Sequence, residues 1–147
     1  MAIALFVLQT AATWFMTGLI WFVQVVHYPL YARIGEAEFA VYERDHCSLT
    51  TLVVAPVMLV ELFSAILLCV NRPKFVGMPE CIVNVILLGV IWLSTMFIAD
   101  QLHGSLGSGL SIPVVKALVA WNWLRTVCWT VRGLGLSYVL IKGLSMG

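Results

Sequence analysis

The sequence predicts an all-α integral membrane protein, folded as one antiparallel four-helix bundle. Only 10% of its 147 residues are charged and 62% are hydrophobic, whereas soluble domains carry about 25% charged residues. Four apolar segments, residues 4–28, 48–70, 81–99 and 112–141, each approach or exceed the roughly 20 residues that cross a bilayer. Because short connections join them, neighbouring helices are expected to run antiparallel within a single domain, residues 1–147.

Composition also excludes several classes of function. A formal net charge of +1, with no basic run, argues against a nucleic-acid partner. The chain lacks a Gly-rich phosphate loop, a G-x-S-x-G string and an H-E-x-x-H string. Its four cysteines form no C-x-x-C pair, so structural disulfides are not expected. The expected partners are the lipid bilayer and a hydrophobic small molecule, and a homo-oligomer or a larger membrane complex stays open.

The charged connections predict the orientation. Arg72 and Lys74 lie in the second connection and Lys142 lies in the tail, so both termini are expected to be cytoplasmic. The first segment lacks a basic leader and a cleavage site, so we interpret it as a retained helix. The first outer connection, residues 31–45, is expected to hold a short amphipathic interfacial helix, acting either as a lid or as a connector anchored by its aromatic residues.

The first segment carries a polar stripe. Its members recur at helical spacing on one face and are Gln9, Thr13, Thr17, Gln24 and His27. Pro29 follows directly after Tyr28, so the helix is expected to break or kink there. His27 is therefore expected at the outer rim of the bundle.

The last segment carries the costliest residues for a bilayer. Asn122, Arg125 and Arg132 share one helical stripe, which must face protein rather than lipid. Glu61 lies twelve residues beyond Leu49, just as Arg125 lies twelve beyond Pro113, where the apolar parts begin at the outer side. At about 1.5 Å per residue both reach a similar depth, which predicts a Glu61–Arg125 ion pair.

That pair is open to two interpretations. It could be a bridge that locks the bundle. Alternatively, Glu61 and Asn122 orient Arg125 toward an anionic or oxygen-rich ligand, which makes all three candidate catalytic residues. Arg132 has no evident acidic partner and is expected to extend toward the cytoplasmic face.

Three histidines are predicted at the outer ends of different segments. They are His27, His46 and His103, and imidazoles from separate helices of a bundle are common ligands of metal ions and haem iron. A carboxylate could join them, and the choices are Glu43, Asp45 and Asp100. His46 and Cys47 are adjacent, so at most one of them is expected to face a given site. The alternative is that the histidines lie at the interface and bond only to water or backbone.

The string Trp-Asn-x-x-Arg-Thr at residues 121–126 resembles the C-terminal signature of the anthrone-oxygenase-like family of small membrane proteins. This resemblance covers the last helix and the number of spans. It implies oxygenation of polycyclic phenolic substrates without a well-defined cofactor, and it extends to Asn122 and Arg125 alone. The His27-Tyr28-Pro29 string and Glu61 do not belong to that pattern.

Three functions are therefore considered. The first is a membrane oxidoreductase or oxygenase, with a metal ion or haem near the non-cytoplasmic face and a phenol or quinone in the polar interior. The second is a non-catalytic accessory subunit of a larger membrane complex, whose histidines ligate pigments or haems. The third is a small transporter, for which an intramembrane Arg and Glu are also expected.

Overall fold

A computed structural model describes residues 1–145, which form four long helices and no strand. They are α1 (Ala2–Arg33), α2 (Glu36–Val70), α3 (Met78–Leu106) and α4 (Ile112–Leu144). The predicted all-α class is confirmed. Of these four, α1, α2 and α3 are long and apolar enough to cross a membrane. Helix α4 has a similar length, but Asn122, Arg125 and Arg132 lower its mean hydropathy.

Neighbouring helices run in opposite directions. Helices α1 and α3 each pack against both α2 and α4. Along the α1–α2 contact, Thr13 bonds to Glu61 while His27 bonds to His46, so residue numbers rise on one helix as they fall on the other. The His27–His46 end is the end at which the three histidines lie.

Helices α1 and α4 approach closely at Gly133. A Cβ atom at Gly133 would lie only 3.2 Å from the indole of Trp14 and 3.4 Å from the hydroxyl of Thr17. The indole of Trp14 also donates a hydrogen bond to Ser137 Oγ at 2.9 Å. A larger residue at this position of α4 would therefore force Trp14 or Thr17 to shift by a few tenths of an ångström.

The polar stripe predicted on the first helix faces the interior. Gln9 and Thr13 are fully buried, and Thr17 and Gln24 are 3% exposed. Buried polar groups need hydrogen-bond partners, and other helices supply them here. Gln9, for example, accepts a hydrogen bond from Ser64 of α2.

The helices extend beyond the predicted apolar segments. Helix α2 starts at Glu36 rather than residue 48, so the interfacial helix expected in the first connection is in fact the first turns of α2. Gly35 precedes it in an extended conformation, and two acidic side chains in the first turn, Glu36 and Glu38, favour a helix start. No residue between positions 45 and 48 interrupts the helix.

The break expected at Pro29 is replaced by a wide turn. Residues Val23–His27 form a π turn in which the Tyr28 amide donates to the carbonyl of Val23, and the chain stays helical through Pro29. Helix α3 contains a second π turn at Thr95–Ala99. A π turn adds one residue to a helical turn and often occurs at functional sites. These two lie just before Tyr28 and His103, which are in contact.

Candidate functional site

A buried ion pair lies in the middle of the four helices, between α2 and α4. Arg132 Nη1 lies 2.6 Å from Glu61 Oε1, and neither side chain is exposed. The other oxygen of Glu61 accepts a hydrogen bond from the Trp129 indole at 3.0 Å. Arg132 Nε donates to Asn84 Oδ1 on α3 at 3.0 Å. Both charges are thus surrounded by matched hydrogen-bonding groups.

This arrangement corrects two predictions. Glu61 pairs with Arg132 rather than with Arg125, and Arg132 does not extend toward the cytoplasmic face, because it is 2% exposed. The prediction assumed that α2 and α4 start level with each other where their apolar residues begin. The two arginines are seven residues apart, about 10 Å along a helix, and the packing of the helices decides which of them meets Glu61.

Arg125 lies nearer the end that holds the histidines and has neutral partners. Its Nη2 atom donates to Asn122 Oδ1 at 2.6 Å and to the Tyr28 hydroxyl at 3.4 Å. Asn122 in turn donates to Gln24 Oε1 at 2.8 Å. Among residues 1–145, no carboxylate lies within ion-pair distance of this guanidinium. Arg125 is therefore a buried cation whose charge is not matched by an acidic side chain.

The three histidines lie together at one end of the helices. His27 Nε2 and His46 Nδ1 are 2.8 Å apart, and the rings of His46 and His103 are stacked with centroids 5.4 Å apart. Tyr28 and Tyr31 both pack edge-on against the His46 ring. The two tyrosines are part of this aromatic cluster, which the sequence analysis did not predict; the π turn before Tyr28 was not foreseeable from residue types.

Glu43 and Cys47 join His103 in a compact group. Their ligand atoms, one from each side chain, all lie within 4.8 Å of one another. His103 Nδ1 is 2.5 Å from Glu43 Oε1, and Cys47 Sγ is 3.5 Å from the same oxygen. Glu43 was one of three carboxylates considered from sequence, and the remaining two, Asp45 and Asp100, are exposed. The i, i+4 spacing of Glu43 and Cys47 was the available signal for this group.

A cavity of about 280 Å³ lies beside this group and between all four helices. Its wall is mainly apolar, and its floor reaches Met58 and Trp129. The polar side chains that line it include Tyr28, His46, Cys47, His103 and Arg125. His46 and Cys47 both line this broad cavity, but Cys47 alone belongs to the compact group with Glu43 and His103.

The predicted catalytic residues differ in their access to this cavity. Arg125 lines it, whereas Asn122 contacts Arg125 from behind and Glu61 is reached only through Trp129. The cavity thus combines an apolar wall with a guanidinium, a phenol hydroxyl, two imidazoles, the thiol of Cys47 and the carboxylate of Asp100. Such a mixture suits a small hydrophobic molecule that carries oxygen atoms.

Comparison with models of protein families, with curated proteins and with solved structures finds no match to this chain.

Proposed function

We propose that this chain spans the membrane four times as an antiparallel bundle and acts as an oxidoreductase of the oxygenase type on a hydrophobic phenol or quinone. The observation that carries the proposal is the cavity, in which Arg125, Tyr28 and His103 meet an apolar wall. A ring packs against the wall while its oxygen accepts from Arg125. The cation of Arg125 strengthens that hydrogen bond and favours a phenolate form.

A metal ion held near the histidines would supply the redox chemistry of this proposal, with molecular oxygen as the oxidant. His27, His46 and His103, the candidate ligands named from the sequence, lie close to one another here. A haem is disfavoured, because a cavity of about 280 Å³ is smaller than the roughly 300–1,000 Å³ typical of sites for drug-sized ligands. A metal ion beside a single small ring system fits that volume better than a macrocycle.

The remaining polar residues orient the groups that contact the ligand and exchange protons with it. Asn122 accepts from Arg125 and is itself bonded to Gln24, so it holds the guanidinium toward the cavity. The Tyr28 hydroxyl contacts His103 Nε2 at 2.8 Å, and the other ring nitrogen of His103 contacts Glu43. A phenolic proton released near Tyr28 can therefore pass to this pair. Glu61 acts as a positioning residue through Trp129.

The proposal is tested with protein purified in mild detergent without added metal. Elemental analysis and an absorption spectrum measure its metal and haem content, and quenching of tryptophan fluorescence measures the binding of menadione, a small naphthoquinone. We expect a bound transition metal, no haem absorption band and saturable quenching. His103→Ala is expected to lose the metal and stay helical.

A matched pair of variants locates the quinone. Arg125→Leu is expected to weaken menadione binding about tenfold, the effect of a charged hydrogen bond of roughly 1.5 kcal/mol. Lys116→Leu removes an exposed cation from the same helix and should leave binding unchanged. Metal-free protein that does not bind menadione would overturn the proposal.

A second candidate is a small transporter or proton pathway. The observation that favours it is a string of hydrogen bonds from the outer end into the interior, formed by Glu43, His103, Tyr28, Arg125 and Asn122. Proteoliposomes that contain a pH-sensitive dye test this function. Proton flux that depends on Tyr28, with no bound metal, would favour the pathway over the oxidoreductase.

A further inference from the structure

The three histidines have different neighbours. His27 and His46 contact each other, with His27 Nε2 and His46 Nδ1 2.8 Å apart, and the Thr50 hydroxyl lies 3.1 Å from the same His46 atom. Neither ring belongs to the Glu43–Cys47–His103 group, whose ligand atoms lie within 4.8 Å of one another. Of the three, His103 is the ring that lies against a carboxylate and near a thiol, those of Glu43 and Cys47.

Glu43 is placed as a metal ligand would be. Its side chain is 1% exposed, and its Oε2 atom makes no hydrogen bond of ordinary length among the described residues, where the buried Tyr31 hydroxyl is the nearby donor. Buried polar atoms are rarely left without a partner, because desolvation is then not compensated. A bound cation removes this cost, since it would give a second interaction to the carboxylate.

His103 has the supporting contact that metal-bound histidines usually have. While Nδ1 faces Glu43, Nε2 lies 2.8 Å from the Tyr28 hydroxyl. A ligating imidazole commonly donates its other N–H group to an oxygen atom, which fixes the ring and the tautomer. Arg125 donates to the Tyr28 hydroxyl and holds it in place. Contacts with Glu43 and with Tyr28 therefore fix the His103 ring from two sides.

Local helix geometry brings the three ligands together. Glu43 and Cys47 lie one turn apart on the same face of α2. His103 follows the π turn of α3, Thr95–Ala99, which rotates all later residues by about 100° relative to a regular α-helix. The spacing of residues on a regular helix does not reveal these three ligands, because the position of His103 depends on the residue that the π turn inserts.

We propose that Glu43, Cys47 and His103 bind one redox-active transition metal ion, of the class Fe²⁺ or Co²⁺, with its fourth position open to the cavity. This rests on the proposed function and names the ligands of its metal. A thiolate with an imidazole selects such ions over Mg²⁺ and Ca²⁺, which prefer oxygen alone. Bond lengths of about 2.0–2.3 Å place tetrahedral ligands roughly 3.5 Å apart, so small side-chain movements bring the present group into coordination. Binding displaces the proton of Cys47.

The open position explains the arrangement of the cavity. Cys47 and His103 both line it, and Arg125 faces the same space. A phenol oxygen bound by Arg125 therefore lies in the space toward which the fourth position of the metal opens. Structural sites use four protein ligands, whereas three protein ligands with an open position are typical of catalytic sites.

Titration of chelator-treated protein with Co²⁺ tests the ligand set. We expect one Co²⁺ per chain, visible d–d bands and a near-ultraviolet charge-transfer band from a cobalt–thiolate bond. Cys47→Ser should abolish the charge-transfer band, and Glu43→Gln should weaken Co²⁺ affinity at least about 100-fold, beyond the 10–100-fold typical of a lost supporting contact. The matched control is Cys69→Ser, also on α2, whose thiol bonds only to the Ala65 carbonyl; its spectrum should be unchanged.

A second measurement needs no variant. In the unaltered protein, Zn²⁺ should protect Cys47 from a maleimide reagent, as read by peptide mass spectrometry, while Cys69 reacts equally with and without Zn²⁺. This readout decides the proposal even where Cys47→Ser does not fold, as judged by circular dichroism. Equal modification of Cys47 with and without Zn²⁺ would overturn it.

The outcomes separate this inference from the proposed function. Co²⁺ binding that lacks a thiolate band and is lost in His27→Ala would overturn the Glu43–Cys47–His103 set and leave a histidine metal site standing. Menadione binding without any Co²⁺ binding would overturn the proposed metal site, but the cavity would remain as the site of ligand binding. Absence of both would overturn the inference and the proposed function together.

Discussion

Glu61 of α2 and Arg132 of α4 form an ion pair at 2.6 Å in which neither side chain is exposed. Thr13 also donates to the paired Glu61 oxygen, so α1 takes part in the same contact. Asn84 of α3 accepts from Arg132, so all four helices meet in this network. Removal of one partner leaves the other charge buried and unpaired, which costs more than the pair contributes.

Glu61→Gln is expected to lower the free energy of unfolding in detergent by about 3–5 kcal/mol, because Arg132 remains buried without its counter-charge. Thermal unfolding followed by circular dichroism measures the effect. Glu38→Gln is the control, since Glu38 is an exposed carboxylate on the same helix. Equal melting curves for the two variants would refute a structural role for the pair.

A double-mutant cycle distinguishes the two arginines. Glu61→Gln combined with Arg132→Gln is expected to show a coupling energy above about 1 kcal/mol, because the two groups share a hydrogen-bonded contact. The same cycle with Arg125→Gln should give a value within about 0.5 kcal/mol of zero. Strong coupling to Arg125 instead would restore the pairing that the sequence alone predicted.

Gly133→Val is expected to destabilise the protein by about 1–3 kcal/mol, because the added atoms meet Trp14 and Thr17 where α1 and α4 approach. Gly135→Val provides the control, since a Cβ atom there meets nothing within 4 Å. Both changes carry the same helix propensity, so the difference in unfolding free energy isolates the contact. No difference would mean that the helices separate at little cost.

Tyr28→Phe is expected to reduce menadione affinity roughly fivefold to tenfold, since about 1 kcal/mol is typical of one lost hydrogen bond. The hydroxyl removed contacts both His103 and Arg125, so each would turn away from the cavity more readily. Tyr138→Phe serves as the comparison, because Tyr138 is 66% exposed. Unchanged affinity in Tyr28→Phe would exclude the hydroxyl from the ligand site.

The predicted orientation is tested by labelling intact cells with a membrane-impermeant maleimide. Ser108→Cys lies in the connection between α3 and α4 and should react from outside. Lys74→Cys lies between α2 and α3 and should react only after the membrane is made permeable. The reverse pattern would place the termini outside, against the distribution of lysine and arginine.

Much of the helical fold follows from residue types alone. Apolar segments of bilayer length predicted the helices, and the spacing of Gln9, Thr13, Thr17 and Gln24 predicted a buried face on α1. The ends of helices were less predictable. Helix α2 begins at Glu36, among charged residues that precede its apolar segment, because polar residues lower hydropathy without breaking a helix.

The site was predicted only in part. Residue types alone suggested that His27, His46 and His103 lie at one end, and in the structure their rings are in contact. The roles of Glu43 and Cys47 depend on how α2 faces α3, and the position of His103 depends on a π turn. Sequence spacing assumes a regular helix, so it predicts neither the rotation of α2 relative to α3 nor the rotation that the π turn adds before His103.

The sequence by itself determined that this protein is helical, that polar side chains lie in its interior, and which residues are too costly to face lipid. These properties depend on composition and on the period of the α-helix. The tertiary structure alone decided which arginine meets Glu61 and which ligands surround His103. Those choices depend on the relative height and rotation of packed helices. A difference of seven residues leaves a side chain on the same face but moves it by about 10 Å, so periodicity cannot distinguish Arg125 from Arg132.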